Sequence, residues 1–79
     1  MVADHITPDQ CRAARSLLGW TAEDLAEAAR GSLPSIGSLE RGLFPPPPER
    51  LAAIIGAFEA AGVEFTDDAP GARLKRANA

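Results

Sequence analysis

Few side chains in this chain have the type and surroundings needed for chemistry. His5 is the single histidine, with neither a cysteine nor a paired carboxylate beside it to build a triad or a metal site. It is read as a solvated residue, and no catalytic residue, metal ligand or cofactor is expected. Cys11 is the single cysteine, which excludes an internal disulfide and any cysteine-based zinc site. Its alignment with an apolar stripe marks it as a small buried hydrophobe rather than a redox sensor. Two charges stand out instead: Arg15 and Glu40 each fall on an otherwise apolar helical face. Being opposite in sign, they are expected to meet as a structural ion pair, the alternative being that both reach out to water. Arg73, Lys75 and Arg76 form the one basic cluster. It either touches phosphates or keeps a strand edge soluble.

The elements that must position these residues have local signals. Thr7-Pro8-Asp9-Gln10 combines a cap, a proline suited to the first helical position and a glutamine where a capping box wants it, and Gly19 supplies a stop. Thr21 caps a second helix with Glu23 and Asp24 in its first turn, and a break follows at Gly31. Ser32 is the expected cap of a third helix, which tolerates Pro34 in its first turn and carries Ile36, Leu39 and Glu40 on one stripe before Gly42. Phe44 is expected to plug the core. Pro45 to Pro48 form a stiff connector into a fourth helix with the stripe Leu51, Ile54, Ile55 and Phe58. After Gly62 the period changes to alternation, and Asp67 to Gly71 is turn chemistry, so the tail reads as a hairpin. Helices are therefore expected over about 8–18, 22–30, 33–41 and 48–61, with strands over about 63–66 and 72–75.

The fold class is thus mainly α: a compact four-helix domain built on a helix-turn-helix between Thr21 and Gly42, with a C-terminal β-hairpin. At 79 residues the chain has room for one core and no cleft between lobes. A net charge of −3 and a pI near 4.9 argue against a general polyanion binder, so any DNA binding must use a local patch. No apolar run approaches a membrane span and the N-terminus lacks a signal-peptide pattern, so a cytoplasmic location is expected. A lone hairpin is marginal and leaves its edges open. Two-fold pairing with a second copy through Val63, Phe65 and Leu74 would cover it, and the alternative is a hairpin folded back on its own helices.

In combination, Thr7 to Trp20, the helix Leu25 to Ala29, the end Leu39-Glu40-Arg41-Gly42 and the stretch Ala60 to Phe65 resemble the Xre or Cro-like helix-turn-helix regulators of the lambda-repressor-like superfamily. The resemblance runs over nearly the whole chain. It implies a dimeric bacterial regulator that places its third helix in the major groove of operator DNA. It also implies that Arg15 pairs with Glu40 and that Trp20 and Phe44 take core positions.

The chain departs from that pattern where DNA would be touched. Ala22 replaces the usual phosphate-anchoring glutamine, and the turn glycine common near Arg30 is displaced to Gly31. The positions that face base edges in the family correspond to Leu33, Pro34, Gly37 and Ser38. Between Ser32 and Glu40 there is no Arg, Lys, Asn or Gln, the side chains that read bases through paired hydrogen bonds. The expected DNA-binding set is Thr21, Ser32, Leu33, Ser35, Gly37, Ser38 and Arg41. In it Ser32 and Ser35 hold phosphates, Leu33 meets a thymine methyl and Arg41 reaches the backbone. From Trp20 to Gly42, four carboxylates stand against two arginines, a local charge of −2 that opposes DNA. Two readings follow. One is a dimeric DNA-binding regulator with weak direct base readout and much indirect specificity. The other is a helix-turn-helix protein that has lost DNA reading and binds another protein, or a related regulator, through the third-helix face.

Overall fold

The computed structural model describes residues 6–31, 33–43, 46–68 and 71–75. Its elements are α1 (Pro8–Leu18), α2 (Ala22–Ala28), α3 (Leu33–Arg41), α4 (Pro48–Ala60), β1 (Val63–Phe65) and β2 (Ala72–Leu74). The chain is mainly helical with one two-stranded antiparallel hairpin, in the register Val63 to Leu74, Glu64 to Arg73 and Phe65 to Ala72.

Two capping boxes set the frame. Thr7 accepts from the Gln10 backbone N–H while the Gln10 side chain accepts from Thr7 N–H at 2.8 Å. Thr21 and Asp24 repeat the arrangement at the start of α2, each backbone N–H donating to the other's side chain at 3.0 Å. Each box satisfies two donors that a helix start otherwise leaves unpaired. α1 stops where Gly19 turns left-handed, at φ +67°, and the Trp20 N–H folds back onto the Arg15 carbonyl.

α2 ends two residues earlier than its sequence suggests. The left-handed turn residue is Arg30, at φ +53°, rather than Gly31, and the Gly31 N–H donates to the Ala26 carbonyl at 2.9 Å. Arginine takes that conformation at a steric cost that glycine avoids. α4 closes at Ala60, with Gly62 at φ +99° opening the hairpin.

Every element contributes to one core. Cys11, Ala14, Leu25, Ile36, Leu39, Ile54, Ile55, Phe58 and Val63 are all buried, as is Ile6 ahead of α1. Phe58 sits at the aromatic centre, stacked on Trp20 and met edge-on by Phe65, with both ring centroids 5.8 Å away. The hairpin lies against α1 and α4. Val63 is consequently fully buried in its own chain and closed to a second copy, while Phe65 packs partly buried on the same core and Leu74 is half exposed. The chain's own helices supply the cover that the alternating pattern demanded. The Gln10 side-chain amide also donates to the Thr66 and Gly71 carbonyls, each at 3.2 Å, fastening the hairpin loop to the start of α1. Ser32, Phe44, Pro45 and Arg76 lie outside the described residues, and so does His5. No helix among the described residues is long and apolar enough to cross a membrane.

Candidate nucleic-acid interface

α3 owes its position to two kinds of contact on its inner side. Ile36 and Leu39 sink into the core between α1 and α2. At its C-terminal end Glu40 is gripped by α1. Arg15 donates to both carboxylate oxygens, Nε to Oε2 at 2.7 Å and Nη2 to Oε1 at 2.8 Å, a two-pronged pairing that fixes orientation as well as charge. The remaining Nη1 of Arg15 donates to the Trp20 carbonyl at 3.1 Å. The Cys11 thiol donates to Glu40 Oε2 at 3.1 Å, and Arg12 Nη1 reaches the Glu40 backbone carbonyl. Three residues within one turn of α1 thus hold a single residue of α3.

The electrostatics of this knot are consistent with its geometry. Burial tends to raise the Glu40 carboxyl, but hydrogen bonds from Arg15 and Cys11 and the charges of Arg15 and Arg12 outweigh it, and the net shift is downward. Arg15 is held protonated even more firmly than usual by its hydrogen bond to Glu40. Burial, and after it the Glu40 carboxylate, pushes the Cys11 thiol well up, which leaves it un-ionised and a poor nucleophile. The pair is sheltered rather than sealed, with side-chain exposures of 21% for Arg15 and 12% for Glu40.

The opposite face of α3 is open. Leu33, Pro34 and Arg41 are exposed, and Gly37, Ser38 and Ser35 are half-buried. Arg41 Nε donates to the Gly37 carbonyl at 3.3 Å, so its side chain lies back along the helix. Among the described residues no carboxylate pairs with Arg41. Thr21, at the start of α2, is exposed with its hydroxyl oxygen engaged in the capping box. Glu23, Asp24 and Glu27 line the exposed side of α2. Of the basic cluster, Arg73 pairs across the hairpin with Glu64 at 2.5 Å, and Lys75 is exposed.

Reading the sequence missed three participants: the Cys11 thiol, the Arg12 grip on the α3 backbone and the second role of Gln10. Cys11 and Arg15 share a face at helical spacing, which was the available signal for the first. The other two depend on distant backbone and leave no local trace. In comparison with known proteins, no family model matches the chain and no curated protein matches it.

Proposed function

We propose that the chain is a cytoplasmic, non-enzymatic DNA-binding transcriptional regulator, similar to the Xre and Cro-like proteins. It lays α3 in the major groove and draws much of its specificity from DNA shape. The observation that carries this reading is the division of α3. Its inner side is anchored to α1 through Arg15 and Glu40, while Leu33, Pro34, Gly37 and Arg41 form an unobstructed outer stripe. A rigidly mounted, outward-facing second helix is what a helix-turn-helix needs to enter a groove. The regulator works as a dimer joined through its C-terminal strands, and with Val63 buried in the core, that contact uses the strand edge, Leu74 and the uncovered part of Phe65.

One observation favours a second reading. Exposed Leu33 and Pro34 lie on an element preceded by exposed Glu23, Asp24 and Glu27, a surface better matched to an apolar and basic partner protein than to phosphates. Binding to duplex DNA from the protein's own promoter region, measured across a salt series, separates the two. Tight, sequence-dependent binding with a steep salt slope supports the regulator. A folded protein that binds no duplex even at low salt leaves the partner-protein reading standing.

A further inference from the structure

The outer stripe of α3 lacks a base-reading side chain in its first two turns, yet it does not lack a guanidinium. Side chains on a helix lean toward its N-terminus, so Arg41 covers the surface one turn back, at Gly37. Two contacts put it there. Arg41 Nε donates to the Gly37 carbonyl at 3.3 Å, and a Cβ built on Gly37 would stand 3.7 Å from Arg41 Nη2. Gly37 has no side chain, and the Arg41 guanidinium lies beside it, near the middle of the stripe rather than at its end; a Cβ there would make ordinary van der Waals contact with Nη2, whereas a longer side chain would contend with the guanidinium for the same surface. Nε donates to the helix backbone and Nη2 lies beside Gly37, while no carboxylate among the described residues pairs with either Nη.

We propose that Arg41 is the specificity-determining residue of α3, its two Nη groups donating to N7 and O6 of a guanine while Gly37 provides the space that lets the guanidinium reach it. The assignment rests on the DNA-binding reading above and narrows it: each half-site contains one guanine whose identity is read directly, in a recognition helix otherwise without paired donors. It differs from a phosphate contact in a testable way. A planar fork tells guanine from other bases, whereas a phosphate needs only a positive charge, which lysine supplies equally well.

The test selects duplexes from a pool randomised over the binding site, using the wild type, Arg41→Lys, Arg41→Ala and Gly37→Leu, with circular dichroism and Tm reporting the fold of each. Leucine is a better helix former than glycine, so Gly37→Leu keeps α3 while filling the space. The wild type is expected to enrich one guanine per half-site. Arg41→Lys and Gly37→Leu should still bind but lose roughly 5- to 150-fold discrimination at that base, with other positions unchanged. Replacing that guanine by 7-deazaguanine should weaken the wild type and leave Arg41→Lys unaffected. The proposal is overturned if Arg41→Lys keeps the guanine preference. It is also overturned if Arg41→Ala weakens all sequences alike while lowering the salt slope by about one, the behaviour of a phosphate anchor. A folded wild type that enriches no sequence and binds no duplex at low salt defeats the DNA-binding reading itself, and the Arg41 assignment with it.

Discussion

The two sides of α3 are nine residues of one helix under opposite constraints. On the inner side Ile36 and Leu39 are buried, and Glu40 receives Arg15, Cys11 and, at its carbonyl, Arg12. On the outer side Pro34, Gly37 and Arg41 meet no other element's side chain in a hydrogen bond or ion pair among the described residues. The inner side is dictated by what α1 and the core require, so its chemistry is specific and costly to change. The outer side is free of that demand, and under the proposed function its chemistry is left to the bound partner. Scaffold and reading are therefore separable in this molecule, and a well-built scaffold says little about what is read.

The largest effect should come from breaking the inner side. Arg15→Ala leaves the Glu40 carboxylate sheltered without its main donor. Truncating one member of a buried pair costs about 3–5 kcal/mol, and the residual exposure of this one places it near about 3. For a domain of this size that lowers Tm by at least roughly 10 °C. A shift of a degree or two in a thermal melt would show that the hydrophobic contacts hold α3 without the pair. Acid titration offers a second reading of the same contact. Glu40 is held below its ordinary value of 4.5, so the unfolded chain takes up this proton at a higher pH than the folded one. The stabilisation is complete above about pH 4.5 and is lost as pH falls through the lower folded value. Glu40→Gln should flatten that part of the stability profile.

A smaller effect is expected where α1 grips the hairpin instead of α3. Gly71 sits at φ +87°, and an added Cβ would fall 2.6 Å from Gln10 Cγ. Gly71→Ala combines left-handed strain of about 1–2 kcal/mol with a displaced Gln10, whose two hydrogen bonds to the loop are then lost or bent. Denaturant unfolding should show a loss of about 2 kcal/mol. Gln10→Ala alone should cost about 1 kcal/mol, and the double variant less than the two together, because removing the glutamine also removes the collision. Strict additivity would mean that the loop moves aside freely and that α1 does not fix the hairpin.

How much of this could be read from the chain follows the same division. Thr7 to Gln10 and Thr21 announce helix starts because a cap is a contact over three residues, which the sequence displays directly. Arg15 and Glu40 were visible because a charge on an apolar stripe demands a partner, and opposite signs named each for the other. The end of α2 at Ala28 differs from the expected end near residue 30 because the chain turns left-handed at Arg30, before the glycine whose local preference marks the break at Gly31. The alternation of Val63 and Phe65 required one covered face but did not say whose surface would cover it, and α1 and α4 turn out to do so. The position of the Arg41 guanidinium over Gly37 was invisible for a related reason. Its residue number places it at the end of α3, while its length and tilt carry the charged group a full turn back.

The smallest effect on stability should follow from rewriting the outer stripe. Leu33→Gln and Pro34→Gln exchange exposed side chains on the first turn of α3 for amides of the kind that pair with adenine at N6 and N7. Neither position contributes to the core, so each variant should keep its unfolding free energy within about 0.5 kcal/mol of the wild type in a denaturant titration. In the same variants, selection from randomised duplexes should show a newly preferred adenine beside the guanine assigned to Arg41. A loss of stability above about 1 kcal/mol would join the outer side to the scaffold after all. Unchanged stability with a changed base preference would establish that α3 is mounted from one side and read from the other.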